Sequence, residues 1–169
     1  ASVSAAEGVV CLGGNDAEEV FDTAFILSWD AAQKQITTTA LPQLPRPCAY
    51  GAAAIMDNNV YLAGGQADLS LESAMHNFWV LDMENRQEGW RVLPGWPGPE
   101  RAFNMLAVQH NGFEYCVYVI GGRHIDDATG QVEYLNDVYQ YSPVKDRWTP
   151  RASLPVPLAA STAMDVGQS

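Results

Sequence analysis

Three times along the chain an apolar run ends in a pair of glycines: Val9-Val10-Cys11-Leu12-Gly13-Gly14, Val60-Tyr61-Leu62-Ala63-Gly64-Gly65 and Val117-Tyr118-Val119-Ile120-Gly121-Gly122. The first glycines stand at positions 13, 64 and 121, a period of roughly 50 residues, which is long enough for one four-stranded unit per repeat. Such units bury their faces against one another, so the spacing predicts a row of similar, mutually dependent sheets.

The stretch after each glycine pair repeats as well. Beyond a polar loop comes an aromatic and β-branched run, at 25–30, 78–82 and 138–141, with the composition of a strand. A Trp strand comes next in two units, Trp90-Arg91-Val92-Leu93 and Trp148-Thr149, where the first unit has 36–39 and no Trp. A proline-rich connector closes each unit: Leu41-Pro42-Gln43-Leu44-Pro45-Arg46, then Leu93-Pro94 through Pro99-Glu100-Arg101, then Leu154-Pro155-Val156-Pro157. A strand of small and apolar residues, 51–56 or 103–108, precedes the next glycine pair; 1–5 and 159–164 read as the same strand for the first unit and for an incomplete fourth. The units run about 1–45, 46–100 and 101–157, with the start of another over 158–169. No segment sustains a 3.6-residue apolar period, so about twelve strands and no helix beyond a turn or two are expected.

The string Leu135-Asn136-Asp137-Val138-Tyr139-Gln140-Tyr141-Ser142-Pro143, with Arg147-Trp148 and Leu154-Pro155 after it, resembles a kelch repeat. The resemblance implies an all-β, kelch-type β-propeller built of four-stranded antiparallel blades around a channel. Ala1-Ser2-Val3-Ser4 leading into Cys11-Leu12-Gly13-Gly14-Asn15-Asp16 further resembles the N-acetylneuraminate epimerase (sialic acid mutarotase) family, in its cyclically permuted form. Three blades do not close a ring, since propellers typically use about 4 to 8. The expectation is therefore half of a six-bladed propeller, its remaining blades supplied by further residues, a second chain or a symmetry mate, with a homo-oligomer as one route.

Composition narrows the partners. Nine Lys and Arg stand against 20 Asp and Glu among 169 residues, a net charge of −11, and the scattered cations disfavour nucleic acid and anionic membrane surfaces. At 47% hydrophobic the chain is neither a disordered tail nor a coiled coil. No apolar stretch approaches a membrane span, and no charged-then-apolar leader opens the chain. Cys11, Cys48 and Cys116 have no metal-ligand spacing and read as small hydrophobes. No nucleophile elbow, phosphate loop, dinucleotide fingerprint or zinc signature occurs, so neither a metal nor a cofactor is expected.

In an antiparallel blade the loops at 15–22, 66–76 and 123–134 share one face with the connectors. The connectors bring Arg46 and Arg101 there, and Arg123 follows the third glycine pair. A guanidinium so placed can hold a carboxylate through two parallel hydrogen bonds; the alternative is a structural arginine bonding loop carbonyls or an acid of a neighbouring blade. The third connector carries Leu158 and Ala159 where the others have arginine. His124 with Asp126 and Asp127 matches no ligand motif and reads as a solvated loop, as does Glu18-Glu19; His76 and His110 read as surface or capping groups. Trp29, Trp79, Trp90 and Trp148 read as core between blades, and Trp96 either borders a sugar or packs under its loop. The family resemblance implies an isomerase that interconverts anomers of N-acetylneuraminate in a periplasmic or secreted setting, with a sugar acid as ligand. It also implies an acid/base glutamate that lies outside this chain. Kelch folds equally serve as protein-binding modules without activity.

Overall fold

The computed structural model describes residues 1–164. Among them lie twelve strands in three four-stranded antiparallel sheets, with two single-turn 3₁₀ helices, Leu71–Ser73 and Arg86–Glu88. The first blade is β1 (Ser2–Ala5), β2 (Gly8–Asn15), β3 (Val20–Asp30) and β4 (Gln35–Ala40); the second is β5 (Ala52–Met56), β6 (Asn59–Ala63), β7 (Phe78–Asp82) and β8 (Arg91–Val92). The third is β9 (Met105–His110), β10 (Tyr115–Ile125), β11 (Val132–Ser142) and β12 (Arg147–Arg151). Strands follow chain order within each sheet, and the inner strands β1, β5 and β9 lie side by side. These are three blades of a kelch-type propeller, as the repeat predicts.

The glycine pairs join one blade to the next. In each, the first glycine has φ between +54° and +67° and the second between +107° and +117°, a region open to glycine and costly for other residues. The ladder slips by a residue there, between Leu12 and Gly14 and between Ile120 and Gly122, the mark of a β-bulge. The second glycine then donates its N–H to the connector of the following blade: Gly14 to the Cys48 carbonyl at 2.9 Å, Gly65 to Arg101 and Gly122 to Leu158, both at 2.8 Å. A Cβ on Gly13 would come within 2.0 Å of the Cys48 oxygen, and one on Gly121 within 2.3 Å of the Leu158 oxygen. The pairs therefore mark where neighbouring blades touch backbone to backbone.

Alternation along the strands supplies two faces per blade. Between blades 1 and 2 the packing is aliphatic, with Val10, Leu12 and Ile26 against Val60, Leu62 and Leu81. Between blades 2 and 3 it is aromatic: Phe78 meets Tyr141 and Trp148 edge-on, each at 4.9 Å, and Trp148 meets Trp96 at 6.1 Å. Two tryptophans also reach back to the preceding connector, Trp90 Nε1 donating to Pro42 O at 2.9 Å and Trp148 Nε1 to Pro94 O at 2.7 Å. Trp79 is buried and Trp90 packs against the first core. Trp29 departs from expectation: it alternates onto the face of β3 turned away from blade 2 and is 64% exposed.

Three further expectations change. Strands β2 and β3 continue past the glycine pair to a tight turn at 16–19, and β10 and β11 continue to a turn at 126–131, because the bulge re-pairs the strands beyond it; of the long loops expected, only that of blade 2 is long. The Trp90 strand shrinks to Arg91–Val92. Residues 159–164 form no strand: a strand needs a ladder partner, and this segment instead crosses the top of blade 3, where Ala160 N donates to Phe103 O at 2.8 Å. Residues 165–169 lie outside the described region. All three cysteines are free, with Cys48 and Cys116 buried.

Candidate functional site

The glycine hydrogen bonds set the true correspondence between connectors. Cys48, Arg101 and Leu158 accept the same bond in successive blades, so Arg46, two residues upstream of Cys48, is not the counterpart of Arg101. The next two positions also correspond. Ala49 pairs with Gln66 and Ala102 with Arg123 as isolated bridges, while Tyr50, Phe103 and Ala160 share φ values of +56°, +57° and +54°. Phe103 N donates to Tyr50 O as Ala160 N does to Phe103 O, both at 2.8 Å, so these residues form a continuous rim just before the inner strands, where the central channel of a propeller opens.

Arg101 takes the structural alternative. It is fully buried, and its guanidinium makes a two-pronged pair with Asp137 on β11, Nη1 to Oδ1 at 2.6 Å and Nη2 to Oδ2 at 2.9 Å. Nη1 also donates to Gly121 O at 2.9 Å and Nε to Pro99 O at 3.3 Å. The rings of Trp96 and Tyr139 lie 5.2 Å and 5.6 Å from Cζ. A buried charge is stable only when paired and hydrogen-bonded; four of the five N–H donors here are spent within the chain, and complete burial keeps the side chain from any ligand. Burial, followed by the adjacent Asp137 carboxylate, raises the Tyr139 phenol. Trp96 is correspondingly a packing residue, with its Nε1 donating to Pro99 O at 2.9 Å.

Arg46 is exposed, on the rim of a groove of roughly 940 Å³ over blade 2 that Met75, His76, Asn77, Trp79 and Glu100 also line. Arg123 stands elsewhere, on β10 at the channel mouth. Its Cζ lies 4.1 Å from the centre of the Phe103 ring, which stacks on Tyr50 at 4.4 Å and 18°. The Arg123 Nε is buried with no hydrogen-bond partner. Among the described residues no carboxylate lies within ion-pair distance of Arg123. The three arginines proposed from sequence therefore occupy three different settings: one buried and ion-paired, one solvated and one stacked but unpaired.

Beside Arg123, His124 is buried rather than solvated. Its Nδ1 lies 3.4 Å from Glu100 Oε1 and its Nε2 3.0 Å from Glu133 Oε2, because the ladder that continues beyond the bulge turns it inward. Asp126 caps the β10–β11 turn, accepting from Thr129 N and Oγ1 at 2.7 Å each; Thr129 holds its carboxyl below the usual carboxylate range. Asp16 does the same for the β2–β3 turn through the Glu18 and Glu19 amides, which leaves the Glu18 and Glu19 side chains exposed. His76 Nε2 contacts Trp96 O. Among the described residues no group of three His, Cys, Asp or Glu could hold a metal ion, and no helix is long and apolar enough to cross a membrane.

Tyr50 and Phe103 were not among the sequence candidates. Their signal lies in the matched strings Cys48-Ala49-Tyr50 and Arg101-Ala102-Phe103, masked by the presence of an arginine in each connector at places that do not correspond.

A family model for N-acetylneuraminate epimerase matches residues 41–168. This chain belongs to the N-acetylneuraminate epimerase family. A Salmonella enteritidis protein named N-acetylneuraminate epimerase is 26% identical over 132 residues, covering 78% of this chain and 32% of that protein. Another so named from Salmonella arizonae is 28% identical over the same length, and N-acetylneuraminate epimerase 1 of Escherichia coli O6:H1 is 28% identical over 109 residues, 64% of this chain and 26% of that protein. The chain thus spans about a third of the length of the curated relatives it matches. The solved structure of YjhT shares the fold, with a TM-score of 0.63 over 83% of this chain and 42% of that one at 15% identity.

Proposed function

We propose that this chain forms part of a sugar-acid isomerase that interconverts the anomers of N-acetylneuraminate, and that Arg123 holds the substrate carboxylate. The observation that carries the reading is the state of Arg123: a guanidinium set on an aromatic ring at the channel mouth, with a buried unpartnered Nε and no acid beside it among the described residues. An unpaired cation with one face covered offers its in-plane donors to a planar anion. Family membership supplies the sugar acid as the class of anion.

Mutarotation opens a hemiketal and closes it again. A base removes the proton of the anomeric hydroxyl while an acid protonates the ring oxygen, the C–O bond breaks, and the reverse steps on the other carbonyl face give the second anomer with no net change of atoms or electrons. In this reading the chain contributes the carboxylate anchor, and the acid/base glutamate that the family resemblance implies comes from outside it.

Proton NMR exchange on fresh N-acetylneuraminate tests the activity. The complete protein should speed anomer exchange about 10²- to 10⁴-fold without consuming the sugar and without added metal or nucleotide. Replacing Arg123 by Ala should weaken binding of the sugar acid roughly ten- to a hundredfold while leaving the fold intact. Exchange at the buffer rate, together with tight binding of a peptide, would instead establish a protein-binding module.

A further inference from the structure

The rim residues Tyr50 and Phe103 keep large side chains where the backbone disfavours them. A non-glycine residue at such φ carries a conformational cost, highest for bulky types, and outliers of this kind gather at functional sites. The third blade junction provides an internal control. Ala160 adopts the same φ and makes the same hydrogen bond to its neighbour, so the rim can be built without an aromatic ring. The rings of Tyr50 and Phe103 therefore answer to something other than the backbone path, and Tyr50 leaves 40% of its surface in solvent.

We infer that Tyr50 and Phe103 form the apolar wall of the ligand site at the channel mouth, with Phe103 as a positioning residue for Arg123 and Tyr50 as a surface for the C–H face of a pyranose. The inference rests on the reading of Arg123 as carboxylate anchor and adds the half of the ligand that an arginine does not recognise. Phe103 touches both partners, stacked on Tyr50 and lying under Arg123 Cζ. Its ring covers one face of the guanidinium and so confines hydrogen bonding to the guanidinium plane, which orients a bound carboxylate. The exposed tyrosine beside it gives the adjoining sugar ring an aromatic surface. The ligand class this fits is a cyclic sugar carrying a carboxylate on the ring, in preference to a neutral sugar or a small carboxylic acid, each of which engages only one half.

The test titrates the complete protein with N-acetylneuraminate, its methyl ester and acetate. Tyr50→Gly should weaken binding of both the acid and the ester about three- to tenfold, the scale of one aromatic contact, while the thermal midpoint does not fall, since glycine relieves the backbone. Arg123→Gln should weaken the acid alone. Phe103→Ala should reduce the preference for acid over ester, and Phe103→Leu should restore part of it. Acid binding that depends on Arg123 but ignores Tyr50→Gly and Phe103→Ala overturns the wall and leaves the carboxylate reading standing. Ester binding lost in Tyr50→Gly, with acid binding indifferent to Arg123→Gln, upholds the wall and overturns the anchor. A midpoint lowered by several degrees in Tyr50→Gly with unchanged affinities makes the rings structural, and binding of none of the three probes overturns both.

Discussion

Cys48 and Arg101 occupy one place in consecutive blades. Each gives its carbonyl to a glycine amide of the blade before, and each points its side chain at the carbonyl of its own blade's first glycine, Cys48 Sγ to Gly64 O at 3.4 Å and Arg101 Nη1 to Gly121 O at 2.9 Å. Across the sheet the partners differ in step. Asp137 faces Arg101, while the corresponding residue of blade 2, Asn77, has both side-chain polar atoms buried and unpaired. Burial pushes the Cys48 thiol up to about 11, so blade 2 closes with a neutral, weakly bonded group where blade 3 closes with a charge and its counter-ion. The comparison teaches that the repeated element here is the backbone frame, which accepts chemically unlike plugs, and that a charged plug binds its blade to a partner that the neutral one does not require.

The largest effect should come from splitting the charged plug. Arg101→Met leaves Asp137 without its counter-ion and should cost about 3 kcal/mol of stability, read from the urea midpoint. The double change Arg101→Met with Asp137→Leu should recover most of that, since an apolar pair of similar volume is often as stable as a buried ion pair. A loss below about 1 kcal/mol in the single variant would show that the pair behaves as a surface contact and that the two junctions are energetically alike.

Cys48→Ala should cost about 1 kcal/mol, the removal of one buried heavy atom and a weak hydrogen bond. At the partner positions the contrast should be sharper, with the two effects differing in sign. Asp137→Ala strands a buried guanidinium and should be strongly destabilising, whereas Asn77→Ala removes two unsatisfied polar atoms and should be neutral or slightly stabilising by the same denaturant measurement. A large loss in Asn77→Ala would mean that the amide holds a bound water that Asp137 has no need of.

The smallest difference concerns acid. Asp16, Asp68, Asp82 and Asp126 are turn aspartates whose carboxyls sit below the ordinary value of 3.8, held there by hydrogen bonds from Glu18 N, Ser73, Asn85 and Thr129 respectively. A depressed folded-state value means that their contribution is complete above 3.8 and is lost as pH falls through the lower folded values. These turns are spread over all three blades, so the midpoints of wild type and Arg101→Met should decline in parallel in that acid range while the gap between them holds from pH 7 to 5. A gap that narrows on acidification would place a titration at the junction itself, where an added proton removes the unpaired charge that Arg101→Met leaves.

Much of this architecture was legible because it rests on backbone chemistry that few residues can perform. Gly13-Gly14, Gly64-Gly65 and Gly121-Gly122 must take positive φ against a neighbouring carbonyl, so they survive as a signature, and the strands between them follow from alternation. The plugs were not legible for the complementary reason: the frame constrains a carbonyl at positions 48, 101 and 158 and says nothing about the side chain. Arg46 and Arg101 looked equivalent because both follow proline-rich text, yet the hydrogen-bond register separates them by two residues. His124 looked solvated because strand continuation past a bulge depends on pairing across the sheet. Arg123 was among the candidates, but its stacking on Phe103 joins two separate segments and follows no local pattern that the sequence displays.

The glycine bonds between blades all run one way. In each, the donor lies in the earlier blade and the acceptor in the later one: Gly14 to Cys48, Gly65 to Arg101, Gly122 to Leu158. During synthesis every such amide leaves the ribosome before the carbonyl that will receive it, and the carbonyl arrives on the connector that starts the next sheet. Each blade thus finishes its own bonding only with residues of its successor, so a cut between two successive units leaves the earlier one with a glycine amide that has lost its acceptor.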